Sequence, residues 1–294
     1  MKNTNIKAHI ALLGANIIYG LNYSVAKDVM PEYIQPFGFI LLRVLGASLL
    51  FWFFHSILSN EKIDKKDWPR IALCGLFGVA MNQLLFFAGL NITTPINAAI
   101  IMTSNPILVI IAASIILHNV ITRQKIIGLA LGIIGALLII LFNADFSFDA
   151  TTWQGDVMIL MNAASYGVYL VIVKPLMTKY QPLTIIKWVF TFGLIYVLPF
   201  GVYDFMAIEW STFTTTIWLE TAFVVICTTF LAYLLNLFAL KKLQPATVST
   251  YIYTQPILAS LFAIAMGKDE LSLVKIVGAI LIFTGVYIVS KRFS

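Results

Sequence analysis

Ten apolar runs, each about 20 residues long and separated by short polar breaks, constrain this chain more than any other feature. They cover residues 8–27, 36–57, 69–90, 95–117, 124–142, 154–173, 183–203, 217–240, 245–266 and 272–290. A run of that length crosses the hydrocarbon core of a bilayer as one helix. Charged residues make up only 11% of the 294 and apolar residues 60%, with a mean hydropathy of +0.93. A soluble globule could not bury so much apolar surface, and a disordered chain needs more charge than this. The runs do not alternate apolar with polar, as barrel strands would. The expected fold is therefore an all-α integral membrane protein with ten transmembrane helices. Pro69, Pro95 and Pro245 stand at run starts, where a missing N–H costs nothing. Cys74 and Cys227 lie inside apolar runs and supply no disulfide framework. The first run has no small-residue cleavage pattern and is read as a retained helix.

Positive charge orients the spans. With the N-terminus inside, the inner segments carry 15 of the 19 Lys and Arg, among them Lys62, Lys65, Lys66, Arg123, Lys174, Lys179, Lys241 and Lys242. The outer segments carry three, Lys27, Lys268 and Lys275, and Arg43 lies within span 2. Both termini are expected in the cytoplasm and the chain in the cell (inner) membrane. Topology accounts for the net charge of +6. The charges are scattered over several loops, so no nucleic-acid partner is expected.

The chain repeats itself. Asn105-Pro106-Ile107-Leu108 in span 4 matches Gln255-Pro256-Ile257-Leu258 in span 9, an offset of 150. The same offset pairs Leu90 with Leu240, Pro95 with Pro245, Gly128 with Gly278 and Gly135 with Gly285. Near the start of each half, Tyr19-Gly20 matches Tyr166-Gly167 at an offset of 147. Residues 1–145 and 146–294 thus form two repeats of five spans each. Five is odd, so the second copy enters the membrane upside down. Inverted repeats of this kind serve alternating access in many secondary transporters.

In these motifs, and in the span 1 segment from Asn16 to Tyr23 and the ends Lys125-Ile126-Ile127-Gly128 and Lys275-Ile276-Val277-Gly278, the chain resembles the drug/metabolite transporter superfamily, in its ten-helix EamA branch. The resemblance covers essentially the whole chain. It implies export of amino acids or other small metabolites through a central cavity between the repeats. The motifs do not name the substrate.

Polar side chains at membrane depth usually face a cavity or another helix. Asn16 and Tyr19 share one face of span 1; Asn162, Tyr166 and Tyr169 share one of span 6; Thr229, Tyr233 and Asn236 share one of span 8. Span 3 adds Asn82, Gln83 and Phe86. With Asn105 and Gln255 these are the expected substrate-binding residues; ordinary interhelical hydrogen bonding is the competing reading. Pro106 and Pro256 are expected hinges, or else static kinks. Arg43 either holds a substrate carboxylate, binds helix-end carbonyls, or snorkels outward. The glycines of spans 5 and 10 mark packing faces, and a homodimer is possible.

Enzyme chemistry finds little support. His9, His55 and His118 do not pair at ligand spacing, no two acids share a membrane face, and no phosphate-cradling loop is present. Neither metal nor cofactor is expected; the partners are the lipid bilayer and a small-molecule substrate. The reading is a secondary transporter, exporter or exchanger, that moves a small metabolite by alternating access. A lipid-directed membrane enzyme and a passive pore are the alternatives. No acid lies near the middle of a span, so transport down a substrate gradient is expected over proton symport.

Overall fold

The computed structural model describes residues 2–30, 32–93, 98, 101–142, 153–255, 257–258, 261 and 272–290. Among those residues every regular element is a helix and none is a strand. Proline opens several of them, at Pro36, Pro69, Pro106, Pro182 and Pro245, where its fixed φ suits the first turn. Five helical stretches are long and apolar enough to cross a membrane: Pro36–Leu58, Lys65–Ile92, Trp153–Lys179, Pro182–Met206 and Thr215–Lys242. Lys2–Val29, Arg123–Phe142 and Leu273–Ser290 add three more helices, and Asn105–Leu117 a shorter apolar one. Large apolar side chains stand bare on the outside, among them Leu49, Phe53, Ile115, Ile195, Phe200 and Phe283. Only a lipid solvent makes such a surface stable. The protein is a multi-pass membrane protein.

Below, each helix carries the number of the run it fills. Helix 1 packs on helix 8 and helix 6 on helix 3; helix 2 packs on helix 7 and helix 5 on helix 10; helix 4 packs on helices 6 and 9. Under the offset that relates the halves, every pair in this set except that of helices 4 and 6 maps onto a member of the set. The glycines show the same reciprocity at atomic scale. A Cβ on Gly128 would lie 2.9 Å from the Gly285 carbonyl oxygen, and one on Gly135 would lie 2.6 Å from that of Gly278. Helices 5 and 10 therefore touch backbone to backbone, which glycine at positions 128, 135 and 285 permits.

Two interruptions depart from plain helices. Helix 4 breaks in a turn at Thr103 and Ser104 and restarts at Asn105, so Pro106 sits in the first turn of the new segment. Helix 9 tightens to 3₁₀ geometry at Tyr251–Tyr253. The Tyr253 hydroxyl donates to the Thr103 carbonyl at 3.1 Å, across 150 residues, and joins the two breaks. Pro256 lies outside the described residues, as do Pro95 and Lys268. Helices 3 and 8 also contain π-helical segments, Leu76–Ala80 and Val224–Leu231. The offset of 150 carries the first into the second. Such bulges re-aim the side chains that follow and recur at functional sites.

At one end of the bundle, polar contacts lace the connections together. The Lys179 ammonium pairs with Asp67 at 3.0 Å, the Tyr180 hydroxyl donates to Asp67 at 2.8 Å, and Lys241 Nζ donates to the Tyr180 carbonyl at 3.3 Å.

Candidate substrate site

Arg43 stands about two turns into helix 2 and is only 5% exposed. Its Nε–H donates to Thr229 Oγ1 at 3.1 Å, and its guanidinium lies over the rings of Phe39 and Phe87, 5.8 and 5.5 Å from their centroids. The π segment of helix 8 prepares the acceptor. Thr229 Oγ1 donates to the Val224 carbonyl five residues back, at 2.8 Å, and its lone pairs face Arg43. Arg43 contacts no backbone carbonyl among the described residues, and its burial leaves no room to snorkel.

The aromatic–polar faces gather beside it. Asn236 Nδ2 donates to the Tyr19 hydroxyl at 3.2 Å, joining helices 8 and 1. Gln255 Nε2 donates to Asn16 Oδ1 at 3.1 Å, joining helices 9 and 1. Tyr166 and Tyr169 lie with ring centroids 6.0 Å apart, and Tyr233 packs edge-on against Phe190 at 5.0 Å. Tyr19, Tyr166, Tyr169 and Tyr233 are near enough to interact electrostatically, and Tyr19 and Tyr233 do so with Arg43. Gln83 is 4% exposed and its amide makes no close hydrogen bond, with the Tyr233 hydroxyl a loose polar neighbour. Phe86 packs edge-on against Phe87, one turn further along.

Two amides serve contacts between helices. Asn162 Nδ2 donates to the Asn82 carbonyl, bringing helix 6 onto helix 3, and Asn105 Nδ2 donates to the Ala163 carbonyl at 2.8 Å. The side-chain oxygens of Asn105 and Asn162 are buried without a partner. A glycine sets the closeness here: a side chain at Gly78, in the π segment of helix 3, would run into the Tyr169 ring.

The sequence reading omitted Phe39 and Phe87, whose rings cover Arg43, because an apolar residue in an apolar span carries no signal. It gave Lys187 no role. That side chain is 4% exposed, with Nζ 3.2 Å from His55 Nδ1 and 4.3 and 4.6 Å from the ring centroids of Trp52 and Trp188. Lys187 is thus a buried cation solvated by its own neighbours. Arg43 spends one donor of five.

The profile described as the EamA-like transporter family matches residues 6–141 and again residues 153–291. The chain belongs to the EamA family. An uncharacterized transporter of Bacillus subtilis, YyaM, is 26% identical over 97% of this chain and 93% of its own length. An uncharacterized transporter of Archaeoglobus fulgidus is 24% identical, covering 98% of this chain and 99% of its own. A protein named as a probable terminal-alkyne amino-acid exporter, from Streptantibioticus cattleyicolor, is 24% identical over 87% of this chain and 84% of its own. A solved crystal structure shares the fold, with a TM-score of 0.77 over 98% of this chain and 96% of that one at 16% identity. Within the EamA family the names point to transport, and transporters are in general not enzymes.

Proposed function

We propose that this EamA protein is a secondary transporter of small metabolites such as amino acids, working as an exporter or exchanger by alternating access. In this reading ten helices form two inverted repeats, residues 1–145 and 146–294, with both termini in the cytoplasm of a cell whose inner membrane holds the protein. The substrate sits where helices 1, 2, 3, 4, 6, 8 and 9 converge. The binding residues are Asn16, Tyr19, Asn82, Gln83, Phe86, Asn105, Asn162, Tyr166, Tyr169, Thr229, Tyr233, Asn236 and Gln255. The breaks beside Pro106 and Pro256 act as hinges.

The observation that carries the reading is the meeting of polar side chains from both halves at membrane depth: Arg43 with Thr229, Tyr19 with Asn236, and Asn16 with Gln255. Reciprocal helix pairing supports it, because two equivalent halves can exchange conformations. The exporter name of a relative supports the amino-acid class. Purified protein in liposomes, screened with a metabolite panel, is expected to give saturable counterflow. Flux that does not saturate would mean a pore, and product formation an enzyme. Cysteine placed at Thr212, between helices 7 and 8, should be labelled from outside intact cells; labelling only after permeabilisation would break the inverted topology.

A further inference from the structure

We infer that Arg43 and Gln83 form the charge-selecting clamp of the substrate site, and that the solute it selects is a net anion: a carboxylate on an apolar or aromatic body, with no ammonium group. The inference rests on the carrier reading above and, among small metabolites, assigns organic acids to the site in place of amino acids.

Three observations converge on it. Arg43 is buried with a single hydrogen bond, from Nε, so its terminal N–H groups have no acceptor among the described residues. A guanidinium offers a planar fork that fits a carboxylate with two parallel hydrogen bonds. Taking a cation out of water without a counter-charge is costly, and an anion arriving in the site removes that cost. Gln83 is the second observation. Its amide is buried without a close hydrogen bond, the Tyr233 hydroxyl standing only loosely beside it, a state that native proteins seldom keep without a reason. Gln83 and Phe87 are one helical turn apart on one face, and Arg43 lies over the Phe87 ring. The amide N–H groups can therefore reach the lone pairs of a carboxylate that the guanidinium leaves free.

The third observation is the charge count. The titratable groups that act on Arg43 are the phenols of Tyr19 and Tyr233. The ion pairs among the described residues are Lys66 with Asp64 and Lys179 with Asp67, both away from the site. Asp156 lies in the first turn of helix 6 and accepts from Thr93, and Glu220 lies more than two turns before Thr229 in helix 8. Among the described residues, a zwitterion would find Arg43 for its carboxylate and no carboxylate beside it for its ammonium. An organic acid leaves nothing unpaired. The rings of Phe39, Phe87, Tyr19 and Tyr233 accept its apolar body.

The test uses four solutes that share a phenyl body: 3-phenylpropionate, phenylalanine, phenethylamine and 3-phenylpropanol. Binding is read as thermal stabilisation of the full chain in lipid nanodiscs, and transport as counterflow in liposomes. We expect 3-phenylpropionate to bind at least about tenfold more tightly than the other three, one charged hydrogen bond being worth that much. Arg43→Gln should remove the preference and Arg43→Lys restore part of it, since an ammonium keeps the charge and loses the fork. Gln83→Leu should weaken 3-phenylpropionate about threefold to tenfold while leaving the unfolding temperature equal or higher, because no close hydrogen bond of the protein is lost. That variant serves even if Arg43→Gln does not fold. Equal binding of phenylalanine and 3-phenylpropionate, no binding of any of the four, or a Gln83→Leu protein that binds 3-phenylpropionate like the original would each overturn the clamp. If another panel solute shows saturable counterflow that Arg43→Gln leaves unchanged, the carrier reading stands and the clamp falls; if no solute shows saturable counterflow, the carrier reading falls with it.

Discussion

Helices 5 and 10 meet as two smooth backbones, whereas helices 1, 2, 3 and 8 meet through side chains whose hydrogen-bonding capacity is only partly used. At the first contact Gly128 faces Gly285 and Gly135 faces Gly278, and apolar residues such as Ile282, Val286 and Ala136 close the gaps. At the second, Arg43 uses one donor, the Gln83 amide makes no close hydrogen bond, and the hydroxyl of Tyr169 is unbonded. In lipid there is no hydrophobic gain from helix association, so van der Waals fit and satisfied polar groups must supply it. The glycine contact does this completely. The polar one leaves its capacity open, which is what a place built for a visiting molecule requires.

The comparison can be broken most severely at the glycines. Gly285→Leu would press a side chain into the Gly128 backbone. We expect a loss of about 3 kcal/mol or more, the upper range for overpacking, seen as a large drop in monodisperse protein after detergent extraction. A folded, stable variant would mean that helices 5 and 10 can part. An intermediate effect is expected at Thr229→Val, a substitution of equal shape that removes the acceptor Arg43 has among the described residues. It should cost about 1.5–3 kcal/mol of substrate binding, read as a rise in counterflow KM with the folded yield little changed. Equal losses of yield and affinity would make this bond structural. Tyr19→Phe should have the smallest effect. It removes the acceptor for one Asn236 donor, which also has the Ala232 carbonyl. About 1 kcal/mol is expected, as a few-fold change in transport rate; no change at all would move Tyr19 out of the site.

Much of this architecture was legible in the sequence because membrane spans obey a length rule and glycine and proline have few uses inside them. Gly128, Gly135, Gly278 and Gly285 were marked as packing faces, and their reciprocal contacts follow the offset found in the text of the chain. The sequence places Pro106 inside a span, as a hinge or a static kink. The backbone instead breaks two residues earlier, and proline occupies a first turn, because a helix start is cheaper for it than an interior position. The π segments left no signal at all: Leu76–Ala80 and Val224–Leu231 have the composition of any apolar helix, and only neighbouring helices decide the extra residue per turn. Asn162 and Asn105 illustrate a further limit. The sequence places them at depth, but that their amides reach the backbone of another helix depends on packing distances that no spacing encodes.

Arg43 and Thr229 also set a schedule. The two residues are 186 apart, and a ribosome adding 5–20 residues per second makes the second about 10–40 s after the first. Tyr19 waits longer for Asn236, and Asn16 longer still for Gln255. Throughout that interval the half-made chain holds a guanidinium and several amides at bilayer depth with their final partners not yet synthesised. The insertion machinery or lipid headgroups must hold them in the meantime, so a chain that stops after helix 5 is left permanently in the state the full chain occupies only in passing.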